Sequence, residues 1–314
     1  MKEDSLAGNT KIQWISHPEL SAAHAAYLVA TRVQCNDQKT EQSLIQPVTE
    51  VNNRLFASAV DVSQFWQQYL LQVLSDVPME QACGVALLSA GANEMQVDQT
   101  TKAIVNRLGD ARLAFNQRYP KLAEQLDLRA RPLRERWETY GPGLMNQVGK
   151  QIWGNSPPEE WWMPKVTALM VQPIRGGDGG CDANASRLWL EAMLTDVDPG
   201  VPEVLRVAWL VTSMAIDQYA RETSGELRLM RPWSLVSVPL VLSAARELEL
   251  VRGDELPTST AMKLWHFGDD DIAETVSQWW SVQASSTDPM PARLKRLDEM
   301  LPETSKRVDV EDAV

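Results

Sequence analysis

Val166-Thr-Ala-Leu-Met-Val-Gln-Pro-Ile174 runs into Arg175-Gly-Gly-Asp-Gly-Gly-Cys-Asp182 and then into Ala183 to Thr195. The apolar run predicts a strand, the only convincing one in the chain, and the segment after the glycines predicts a helix over 184–195. Folds often place chemistry where strand, glycine turn and helix follow each other. Glycine lets backbone approach a ligand, and the first turn of a helix leaves N–H groups free.

The residues that would name a chemistry are missing from this loop. A phosphate loop needs Lys and then Ser or Thr after its last glycine. Here Gly180 is followed by Cys181 and Asp182, and Asp178 sits inside the loop, so two carboxylates would repel a phosphate. Asp178, Asp182 and backbone carbonyls could instead hold a hard divalent cation. The ordinary alternative is a turn in which Asp182 or Asn184 caps the next helix, and it is preferred.

Within 184–195, Leu190-Glu-Ala-Met-Leu194 has the frame of the zinc-peptidase H-E-x-x-H helix with leucine at both histidine positions. Leucine cannot ligate zinc, and His17, His24 and His266 form no such pair. The frame therefore suggests at most a catalytically dead zincin-like scaffold. Asn184, Arg187, Glu191 and Thr195 recur at helical spacing as a polar stripe, with Arg187 one turn from Glu191. Facing a cleft, Glu191 would be the best general base; facing solvent, it makes an ordinary ion pair, and the solvent reading is favoured.

After Asp198-Pro-Gly-Val-Pro-Glu203 a helix is predicted over 202–222, apolar almost all round and therefore central to a core. Arg206 is the exception on this helix. A buried guanidinium needs a partner, with Glu203 one turn earlier as the local candidate and Glu191 as the alternative. Upstream, Arg131-Pro-Leu-Arg-Glu-Arg-Trp-Glu-Thr-Tyr-Gly-Pro-Gly143 predicts a short helix that stops at Gly-Pro-Gly. Its arginines are mostly paired internally, although Arg134 or Arg136 could clamp an anionic ligand. Trp161 and Trp162, in a proline-rich loop over 154–164, could form an exposed binding edge.

Arg131 through Leu144, with Glu191-Ala-Met-Leu-Thr195 and Pro202-Glu-Val-Leu-Arg-Val-Ala-Trp-Leu210, resembles a family of bacterial proteins of planctomycete type that carries no assigned activity. The resemblance covers about a third of the chain. It implies no catalytic residue, cofactor or partner.

Composition narrows the classes further. Asp and Glu outnumber Lys and Arg by 42 to 30, a formal charge of −12, which argues against general binding to nucleic acid or to anionic lipid. No apolar stretch approaches a membrane span, and the first residues contain no secretory apolar region, so a cytoplasmic protein is expected. Cys35, Cys83 and Cys181 are widely spaced, which suits reduced thiols. Helices are expected at about 18–34, 40–58, 60–75, 79–91 and 98–119, the last marked by Ile104, Leu108, Ala111 and Phe115. Further helices are expected at about 233–250, 258–266, 270–283 and 291–300.

The fold class is therefore mainly α with a small β component. It divides into a flexible tail (1–13), a helical region (14–128), a Trp-rich α+β region (129–284) and a polar acidic tail (285–314). The leading functional expectation is a soluble, non-enzymatic binding or scaffold protein acting through protein partners, with no metal and no cofactor. The alternatives are the dead zincin-like scaffold and a carboxylate-based enzyme for an anionic substrate, with Glu191 as base and Arg187, Arg206 or Arg134 orienting the substrate.

Overall fold

The computed structural model describes residues 10–154, 158, 160–222, 230–253 and 255–301. Most of the tail expected at 1–13, part of the loop over 154–164 and the segment beyond Leu301 lie outside the described residues. The described chain holds eleven helices and one four-stranded sheet, so it is mainly α with a small β component. Two compact units divide it: a helical unit of residues 15–129 and 169–176, and a Trp-rich unit drawn from 1–14, 130–168 and 177–314.

The helical unit contains α1 (Pro18–Ala30), α2 (Gln38–Ala57), α3 (Val62–Leu74), α4 (Met79–Ser89) and α5 (Val97–Arg118). The stripe Ile104, Leu108, Ala111 and Phe115 is buried on α5, as its spacing requires. Capping residues set the helix starts. Asp37 accepts from the Lys39 N–H at the head of α2, and Asp61 accepts from the Gln64 N–H at the head of α3. Asp37 also accepts from Thr40 (2.7 Å), Tyr119 (2.9 Å) and Arg118 (3.1 Å). Burial works to raise the Asp37 carboxyl, but these bonds together hold it well below the usual carboxylate range.

Helix α6 (Leu122–Trp153) departs from expectation, because it runs unbroken through Pro132 and Pro142 where a short helix ending at Gly-Pro-Gly was predicted. Gly141 has a packing role instead: a Cβ there would lie 2.6 Å from the Trp137 ring, so its absence lets the indole fold back on its own helix. Each proline removes one intrahelical bond, a loss that tertiary packing of Leu133, Trp137, Leu144, Met145 and Val148 offsets.

The sheet has the order β1-β2-β4-β3, with β1 at Lys11–Ser16, β2 at Lys165–Val171, β3 at Gly179–Asp182 and β4 at Arg187–Glu191. The predicted strand is therefore real but has three companions. Lys11 onward is strand rather than tail, with alternate residues exposed along Lys11-Ile-Gln-Trp-Ile-Ser16. The helix predicted over 184–195 does not exist. Its residues form the antiparallel hairpin β3–β4, in which Gly179 faces Leu190 and Asp182 faces Arg187.

In the Trp-rich unit, α7 (Glu203–Glu222) and α8 (Met230–Glu247) pack on each other, and α7 packs on β3 and β4. From Val204 to Thr212 every residue of α7 is buried, as an all-round apolar helix demands. Helices α9 (Thr258–Leu264), α10 (Asp270–Gln283) and α11 (Met290–Met300) complete the unit, with Leu294 and Leu297 of α11 buried. Among the described residues no helix is long and apolar enough to cross a membrane.

Candidate functional site

The residues that sequence marked around the glycine turn do converge, within the Trp-rich unit, but not as a helical stripe. Glu191 ends β4 with its side chain fully buried. Its Oε2 accepts the N–H groups of Gly177 at 2.8 Å and Asp178 at 3.3 Å, and its own N–H donates to the Asp178 carbonyl at 3.0 Å. Gly177 makes this possible by adopting a left-handed φ of 104°, and a Cβ there would sit 2.7 Å from the Leu264 carbonyl oxygen. Glu191 is thus a clasp that holds the glycine turn against β4.

Arg206 braces the same turn from α7. It is 0% exposed. One terminal nitrogen donates to the Asp178 carbonyl, and the other donates to the Glu191 carbonyl at 2.8 Å and to Glu203 Oε2 at 2.5 Å. The locally expected partner, Glu203, is the one the structure selects. Glu191 contributes its backbone oxygen rather than its carboxylate.

This arrangement corrects the two earlier readings of Glu191. A solvated i,i+4 pair with Arg187 requires a helix, whereas four residues of strand separate the two by about 13 Å. A general base requires access to substrate, and a fully buried carboxylate engaged by two backbone donors has none. Arg187 instead stands opposite Asp182. The zinc-helix frame falls for the same reason, since positions 190 and 194 share no helical face.

Asp178 and Asp182 serve the backbone. Asp178 accepts from the Gly179 N–H at 2.9 Å, and Asp182 accepts from Asn184 at 2.9 Å and Ala185 at 3.3 Å, closing the hairpin turn. Asp182 therefore caps a hairpin turn, not the helix expected there. No group of three or more His, Cys, Asp or Glu among the described residues is placed to hold a metal ion. Burial pushes the Cys181 thiol up to about 12, with Asp217 and Asp182 adding to it, and burial raises the Cys83 thiol to about 12. Neither is poised as a thiolate nucleophile.

A cleft of about 300 Å³ opens at the start of α7. Pro132 and Leu133 of α6, with Met193, Leu194 and Pro199 of the β4–α7 connection, give it apolar walls. Arg136, Asp196 and Glu203 are its charged groups. Arg136 reaches both oxygens of Asp196, at 2.6 and 2.5 Å, and Asp196 also accepts the Glu203 N–H at 2.9 Å, which caps the first turn of α7. That bond to Asp196 raises the Arg136 pKa further and keeps the guanidinium charged. A continuous polar path thus joins Arg136, Asp196, Glu203 and Arg206 to the glycine turn.

Asp196 was missed in the sequence. The available signal was an acidic residue just ahead of a proline-marked helix start. Arg134 is half-buried on α6 and is not part of the cleft lining. Trp161 is no exposed edge: it is 3% exposed and packs edge-on against Trp153, Trp162 and Tyr219. Trp162 is half-buried beside Gly149. No protein-family profile, curated protein or solved structure matches the chain.

Proposed function

We propose that the protein is a binding or scaffold module without catalytic chemistry of its own, and that the cleft at the start of α7 receives a segment of a partner protein. One observation carries the reading: Leu194 is 58% exposed and Val197 48% exposed in the same connection that walls this concave surface. Apolar side chains at the edge of a cleft gain about 1–2 kcal/mol each when a partner covers them. The charge pair Arg136–Asp196 supplies the polar rim that fixes the partner's orientation. The site's other strong groups, Glu191 and Arg206, support the reading because they stabilise the wall of the cleft instead of facing into it.

The test places a photo-crosslinking residue at Leu194 and, separately, at Val282, a still more exposed apolar position outside the cleft lining. A single partner should be captured at 194 and not at 282, and Leu194→Asp should abolish its co-purification while Val282→Asp leaves it intact. Equal capture at both positions, or none at 194, would defeat the proposal.

A further inference from the structure

A second concavity lies in the helical unit, independent of the cleft just described. Its volume is about 130 Å³. An apolar cavity of about 150 Å³ accommodates a benzene-sized molecule, so the space suits a ligand of that order. Ala22, Ala23 and Ala26, on one face of α1, form a shallow apolar floor, and Val73 closes one side.

Tyr69 is the polar group set into this floor. It is 4% exposed and lies one helical turn before Val73 on α3. Stacking on Phe65 and an edge contact with Trp66 fix its ring. Its hydroxyl makes no hydrogen bond among the described residues. Burial raises the Tyr69 hydroxyl well above its ordinary value, so it remains a hydrogen-bond donor.

Both signs of charge border the space. Arg112 of α5 meets Glu19 at 3.3 Å, a long contact between exposed groups. The His17 Nδ1 accepts the Leu20 N–H at 3.0 Å, which places the ring proton on Nε2, 3.1 Å from Asp76. Helix α4 starts directly after Pro78, in the lining, with no side-chain cap, so its first N–H groups form an electropositive edge. Donors therefore come from Tyr69, Arg112 and the start of α4, and acceptors from Glu19 and Asp76.

We propose that this pocket binds a small zwitterion of the amino-acid class, with its carboxylate toward Tyr69, Arg112 and the start of α4, its ammonium toward Glu19 and Asp76, and a short apolar side chain on the alanine floor. A simple anion would meet two carboxylates. A simple amine would compete with Arg112 for Glu19 and bring no acceptor to the guanidinium or to Tyr69.

Titration calorimetry with valine, isobutylamine and isovalerate separates these cases, since the last two each carry one of the two charged groups. Valine should bind saturably and each fragment at least about tenfold more weakly, the factor that one lost charged hydrogen bond produces. Tyr69→Phe should weaken valine about fivefold. Arg112→Gln should weaken valine about tenfold without weakening isobutylamine; because Arg112 is 43% exposed, this variant carries the test should Tyr69→Phe fail to fold. Absent saturation with valine, a fragment binding as tightly as valine, or a folded variant with unaltered valine affinity would overturn the assignment.

Discussion

Replacing Arg206 with Met tests whether the glycine turn depends on a buried charge. The substitution leaves the Glu203 carboxylate without its partner and removes donors from two carbonyl oxygens, those of Asp178 and Glu191. Removing one member of a buried pair costs about 3–5 kcal/mol. The low end applies here, because the Glu203 side chain is 11% exposed and water can reach it. Each orphaned carbonyl adds about 1 kcal/mol. Against this, the Arg206 Nε has no hydrogen-bond partner among the described residues, and Met relieves that burden by about 1 kcal/mol. Arg206→Met should therefore cost about 4 kcal/mol. The double variant Arg206→Met, Glu203→Leu should cost only about 1 kcal/mol, since no charge is then stranded. Trp66 is the sole tryptophan of the helical unit, so urea unfolding followed by tryptophan fluorescence reports mainly on the Trp-rich unit. A double variant no more stable than the single one would refute the reasoning, as would a single variant that loses less than about 1 kcal/mol.

Two further predictions concern stability. The Asp37 carboxyl is depressed below its ordinary 3.8, so its contribution is fully present above about pH 4 and fades as the pH falls toward the lowered folded value. Asp37→Asn keeps a capping oxygen but loses the charge, and it should cost about 1 kcal/mol at neutral pH, a difference that thermal melts by circular dichroism should find shrinking toward about pH 2. Glycine replacements should split in sign. Gly177→Ala forces a Cβ to 2.7 Å from a carbonyl oxygen at positive φ and should cost about 2–3 kcal/mol, whereas Gly109→Ala in α5 meets nothing within 4 Å and should gain about 0.5–1 kcal/mol, both read from unfolding midpoints.

The long helices α2 and α5 of the helical unit could be read from the chain because each writes its packing face locally. In α5 the buried positions recur every three or four residues, and that period is independent of distant partners. The hairpin escaped detection for the opposite reason. Four of the five residues of β4 are buried, so no alternation marks the strand, and Gly179-Gly-Cys-Asp182 has little strand propensity of its own. The spacing of Arg187 and Glu191 then imitated a helix. At the site, the Arg206–Glu203 pair was accessible because both residues lie on one helix turn. The clasp made by Glu191 was not, since it depends on backbone N–H groups that no side-chain pattern announces.

Strand β1 has a consequence for how this chain is made. Lys11 donates to the carbonyl of Pro164, so its partner emerges from the ribosome only after the whole of α1 to α6. Residues 15–129 can meanwhile gather their largely local helical contacts, which form fast. Until β2 emerges the nascent polypeptide thus carries an unpaired strand, and Lys11 and Gln13, exposed along it, are polar residues that disfavour pairing with a neighbour.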